Sequence, residues 1–241
     1  MEIPNIVSLK AEYQQIHSFD DKIEFLQKYI RKYVTQDSPH VEFIRELYLL
    51  IAELLLQRGW YEECLDAASR ILDLFKDETN ALEIIKTCNL IENLYKQAYK
   101  YHLDFFYRKE IECYHQILNI SQEDTNAWYN SGNAYLLQYE YGKAIECFEN
   151  VLHIDPKDEQ AWFNLAYCYE KYNLLEQSIE AYSRLIELNP NHEKAWLNRG
   201  HIYFMTGNLK EARWNYQNAY SLGEEEALYI LSEIEKQLNQ N

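Results

Sequence analysis

A chain of 241 residues with 47% hydrophobic side chains can bury a sizeable core and is too apolar to stay disordered over most of its length. Six glycines and four prolines are too few for the many turns of a β-sandwich and suit long helices. The formal charge of −16 is spread along the chain, with 22 acids against 14 bases over residues 1–124 and 15 against 8 over 125–226. Such a surface repels phosphate backbones, so nucleic acid is not expected as a partner.

No stretch of 18 apolar residues occurs, so no membrane-inserted segment is expected. The opening "MEIPNIVSLKAEYQQ" has neither the basic leader nor the apolar centre of a signal peptide. Cys64, Cys88, Cys113, Cys147 and Cys168 are odd in number and form no C-x-x-C pair, which fits reduced thiols in a cytoplasmic protein.

In chain order, "FDDKIEFLQKYIRKYV" (19–34) has the period of an amphipathic helix and reads as the remnant of a first helix pair. "RGWYEECLDAASRILDL" (58–74) reads as the second helix of a pair placed near 45–78. "RKEIECYHQILNI" (108–120) aligns with "GKAIECFENVLHI" (142–154) and predicts another second helix. Between these pairs, 79–107 exceeds one helix by 12 residues and reads as an extended or interrupted helix. Three copies of one phrase follow, with Trp128, Trp162 and Trp196 at intervals of 34. A period of that length marks stacked supersecondary units. The end, "EEEALYILSEIEKQLNQN", begins like a further first helix, has no second, and reads as a solvating cap.

The copies resemble the tetratricopeptide repeat. The first supplies Trp128, Gly132, Tyr135, Ala144, Phe148 and Pro156. The second supplies Trp162, Leu165, Ala166, Tyr169, Ser178, Tyr182 and Pro190, and the third Trp196, Gly200, Tyr203, Ala212 and Tyr216. Small residues alternate with aromatics, so one helix of a pair can approach the other closely. Ser131 and Arg199 depart from the usual Leu, and the third copy lacks its Pro. The resemblance implies an all-α, right-handed superhelical solenoid of antiparallel helix pairs with a C-terminal capping helix. It divides the chain into divergent N-terminal helical repeats (1–124), three clear repeats (125–158, 159–192, 193–226) and the cap (227–241).

It also implies a concave groove lined by the first helices, which binds an extended or helical segment of another protein. The residues placed on that wall are Asn126, Tyr129, Asn130, Asn133, Leu136 and Leu137; then Gln160, Phe163, Asn164, Tyr167, Glu170 and Lys171; then Lys194, Leu197, Asn198, His201, Phe204 and Met205. Asn130, Asn164 and Asn198 share one repeat position, and a primary amide can both donate to and accept from a peptide backbone. The carboxylate clamp of some family members is not expected. Asn133, Asn164 and Lys194 fit three of its five positions, but Tyr129 and Asn198 replace its other two cations. No catalytic, metal-ligating or phosphate-binding constellation appears, so neither an enzyme nor a cofactor is expected. The reading is a non-catalytic adaptor, scaffold or co-chaperone. The alternatives are homo-oligomerisation through exposed helices and an accessory domain of an enzyme complex.

Overall fold

The computed structural model describes residues 6–34, 41–75 and 78–238. Parts of three expectations lie outside the described residues: the first five residues of the opening segment, residues 76–77 of the 45–78 pair, and 239–241 of the cap.

All the elements described are helices. They are α1 (Ile6–Gln14), α2 (Phe19–Val34), α3 (Val41–Arg58), α4 (Tyr61–Leu74), α5 (Thr79–Leu103), α6 (Tyr107–Ile120), α7 (Thr125–Leu137), α8 (Tyr141–Ile154), α9 (Glu159–Lys171), α10 (Leu175–Leu188), α11 (Glu193–Met205), α12 (Leu209–Ser221) and α13 (Glu226–Leu238). The amphipathic segment is α2, and the expected second helices are α4 and α6. Two compact units emerge, one of Met1–Tyr99 with Gln116–Asp124 and one of Lys100–His115 with Thr125–Asn241. Among the described residues no helix is long and apolar enough to cross a membrane.

In the first unit Leu26, Leu47, Ala52, Ala68, Ile71 and Cys88 form a buried core between α2, α3, α4 and α5. The segment after α6 is fastened to the α3–α4 turn. The Ser121 hydroxyl lies 2.7 and 2.8 Å from the Leu56 and Gln57 carbonyl oxygens, and the Glu123 N–H donates to Gln57. The Asp124 carboxylate is buried and accepts from the Tyr61 and Tyr95 hydroxyls. Burial of Tyr61 and the neighbouring charge of Asp124 push its phenol well above its ordinary pKa.

In the second unit helices pack in sequence-adjacent pairs, α7 on α8, α9 on α10 and α11 on α12, with α8 on α9, α10 on α11 and α13 on α12 joining the stack. Every turn within a pair uses the same device. Phe105, Tyr139, Asn173 and Gly207 stand 34 residues apart, and their φ angles are 60, 61, 62 and 77°. Gly59, with φ 79°, holds the matching place between α3 and α4. A left-handed residue turns the chain sharply enough for two helices to run antiparallel with few residues between them. The repeat register therefore extends back to 91–124, with Ile91–Leu103 as its first helix. The extra 12 residues are 79–90, which continue that helix without interruption into α5.

Candidate peptide-binding site

The close approaches inferred from the repeat are present. A Cβ added at Gly132 on α7 would lie 2.8 Å from the Phe148 ring on α8. One at Gly200 on α11 would lie 3.1 Å from Asn215 on α12. Ala144 and Ala212 are fully buried, and Ser178, at the same position, spends its hydroxyl on the Ala166 carbonyl at 2.7 Å. The repeated tryptophan ties one pair to the next. The Trp162 indole N–H donates to the Pro156 carbonyl and that of Trp196 to the Pro190 carbonyl, both at 2.9 Å. Helix starts are fixed locally, with Asp158 accepting from the Ala161 N–H and His192 Nδ1 from the Ala195 N–H.

The candidate groove residues lie on α7, α9 and α11 at spacings that share one helix face. Across α7 and α9 the structure joins three of them. The Asn164 side-chain amide donates to the Tyr129 hydroxyl and to Asn133 Oδ1, each at 3.1 Å. The Tyr129 ring meets Phe148 edge-on at 5.7 Å. Asn198 donates to the Tyr182 hydroxyl at 3.1 Å, and burial raises the pKa of that phenol, keeping it protonated. Phe163 stacks on His192 at 5.4 Å and meets Tyr182 edge-on at 5.9 Å. Lys171 sits 4.9 Å from the Tyr167 ring centroid, and His201 meets Tyr216 edge-on at 5.5 Å. Asn126, Gln160 and Lys194 are exposed, while Asn130 is half-buried and its side chain makes no hydrogen bond to another described residue.

Two arrangements were not legible in the sequence. Arg199, in the place of a usual Leu, is buried with its guanidinium 4.8 and 5.8 Å from the Trp196 and Trp214 ring centroids. It donates to Asn215 Oδ1 at 2.8 Å and to the Ser183 hydroxyl at 2.7 Å. This arginine is a packing residue committed to its neighbours, and desolvation lowers its pKa. Glu110 stands where Ala144, Ser178 and Ala212 stand in the later repeats, yet it is a buried carboxylate. His102 Nδ1 lies 3.1 Å from both its oxygens, and the Tyr114 hydroxyl donates at 3.4 Å. Burial pushes its pKa up, against the opposing pull of His102 and Tyr114.

A solenoid of helix pairs with a 34-residue register and small-against-aromatic packing defines a helical-repeat binding scaffold. A tetratricopeptide repeat model matches residues 125–158 and 159–192, and a second such model matches 181–213. The chain carries tetratricopeptide repeats over residues 125–213. Solved structures share its fold. The crystal structure of MamA is 20% identical, has a TM-score of 0.53, and aligns over 74% of this chain and 98% of its own. MamA from Desulfovibrio magneticus RS-1 is 22% identical, with a TM-score of 0.52 over 74% of this chain and 94% of its own. YrrB is 17% identical, with a TM-score of 0.51 over 85% of this chain and 96% of its own. No curated protein sequence matches the chain significantly.

Proposed function

We propose that the second unit is a non-catalytic protein-interaction module. Its α7, α9 and α11 face holds an extended or helical segment of a partner protein, and the chain serves as an adaptor, scaffold or co-chaperone in the cytoplasm. The observation that carries this reading is the row of repeated asparagines, two of them already oriented by tyrosine hydroxyls. Both Asn164 N–H donors are occupied by Tyr129 and Asn133. Its Oδ1 is thereby aimed and left to accept a peptide N–H. Asn198 is held in the same way by Tyr182, while Asn130 keeps its whole amide for a ligand. Side chains fixed before binding lose little entropy on binding, so a modest number of neutral hydrogen bonds can suffice. YrrB, similar in fold, is described as having an unusual peptide-binding site, which is in keeping with this role.

The test is calorimetry with a peptide selected from a random display library. Replacing Asn130, Asn164 and Asn198 together with Ala should weaken binding about tenfold to a thousandfold, at roughly 0.5–1.5 kcal/mol for each lost group. Circular dichroism should be unchanged. Equal affinities would remove the asparagine row from the mechanism.

A second reading, homo-oligomerisation, draws on the α12–α13 end, where Trp214, Tyr220, Leu228 and Tyr229 are exposed. Light scattering separates the two, since a monomer at micromolar concentration disfavours self-assembly.

A further inference from the structure

The turn between α5 and α6 presents three large apolar side chains to solvent. Leu103 is 57% exposed, Phe105 75% and Phe106 55%. Folding does not require them. The matching turns close with Tyr139, Asn173 and Gly207 in the same left-handed conformation, which glycine adopts without the steric penalty paid by Phe105. The stretch 99–109 carries Lys100, Arg108 and Lys109 against one acid, Asp104, in a chain whose net charge is −16. All three cations are exposed. Lys109 Nζ hangs 5.4 Å from the Phe106 ring centroid and 5.5 Å from that of Tyr101. Exposed apolar side chains continue at the equivalent turns with Tyr139, Tyr172 and Met205.

We propose that this turn is a docking surface for an anionic lipid membrane, with Phe105 and Phe106 entering the headgroup–acyl boundary and Lys100, Arg108 and Lys109 meeting the lipid phosphates. Charge complementarity points to an anionic surface, and shape points to a bilayer. Phe105 is 75% exposed and Phe106 55%, so both rings protrude beside the cations. A bilayer interface receives protruding rings without a preformed pocket, and lysine and arginine stems bridge from the apolar layer to the headgroups. Asp104 in the turn and the exposed Glu112 beyond it oppose this, while acids more than about 8 Å away are screened at physiological ionic strength. Attachment of this kind is peripheral and independent of the asparagine row.

The experiment is flotation of the full chain with vesicles of phosphatidylcholine alone and of phosphatidylcholine with phosphatidylserine. The protein should float with the phosphatidylserine vesicles, less so as salt rises, and not with phosphatidylcholine alone. Phe105→Ser with Phe106→Ser, and separately Arg108→Glu with Lys109→Glu, should each weaken partitioning about tenfold or more. These side chains lie outside the core, so circular dichroism should remain that of the parent. Failure of the parent to float with phosphatidylserine vesicles would overturn the proposal, as would equal flotation of the parent and both variants. Capture of an acidic peptide by these side chains without flotation would also overturn it and assign the turn to a protein partner.

Discussion

A methyl group at Gly132 would sit 2.8 Å from the Phe148 ring, and one at Gly200 would sit 3.1 Å from Asn215 Cβ. Gly132→Ala should therefore lose stability, about 1–3 kcal/mol of overpacking exceeding the roughly 1 kcal/mol that alanine gains over glycine in a helix. Gly200→Ala should lose less, because its nearest neighbour has a smaller distance to yield. Thermal melts of the two variants check the order; equal stability to the parent at both positions would mean the helices do not approach as closely as described. The thiols give a second prediction at this scale. Burial pushes Cys147 and Cys168 up to about 12, with Glu146 adding to the first and Cys147 to the second. Their unfolded pKa is about 8.5, so the folded state holds the protons more tightly. The stability this contributes is complete below about pH 8.5 and is lost as pH rises toward 12, by up to about 1.4 kcal/mol per pH unit per thiol. Urea titrations at neutral and alkaline pH should show that decline, with Cys168→Ala declining less steeply. A variant that declines in parallel with the parent would contradict the assignment.

At the scale of elements, the left-handed residue inside each pair fixes the turn. Gly207 has φ 77° and open space around a hypothetical Cβ, whereas a Cβ at Gly59 would lie 2.7 Å from Asp124 Cγ. Gly207→Ala should thus cost only the conformational penalty of about 1–2 kcal/mol. Gly59→Ala should cost more, because it also displaces the carboxylate that Tyr61 and Tyr95 hold. Chemical denaturation of both variants tests the difference, and equal costs would mean that Asp124 does not help to hold the α3–α4 turn. The same elements show what could be read in advance. Trp128, Trp162 and Trp196 revealed the period, because each must fill the same large hollow in its repeat. The 91–124 repeat was harder to see. Leu94 stands in the tryptophan place, Glu110 in the small-residue place, and a 12-residue extension hides where its first helix begins. Its second helix was still visible in "IECYHQIL", whose core spacing matches that of "IECFENVL". The contact of Asn164 with Tyr129 and Asn133 could not be read at all. It depends on how far α9 is offset from α7, a distance set by the packing of the intervening α8.

For the molecule as a whole, partner binding is proposed for the first-helix face of the second unit. Amides and rings line that face more than cations do, so affinity for a bound peptide should fall only mildly with salt. A steep salt dependence measured by calorimetry would move the binding energy to charged residues elsewhere. The competing surface is explicit. A cavity of about 420 Å³ opens between α8, α9 and α10, lined by Glu149, Leu152, His153, Trp162, Gln177 and Arg184. Gln160 on α9 and Gln177 on α10 are both exposed, so each can carry a photo-crosslinking side chain without disturbing the core. Irradiation with a display-selected peptide should attach it covalently from position 160 and not from position 177. Attachment from 177 alone would place the ligand in the α8–α10 cavity and contradict the assignment of binding to the asparagine face.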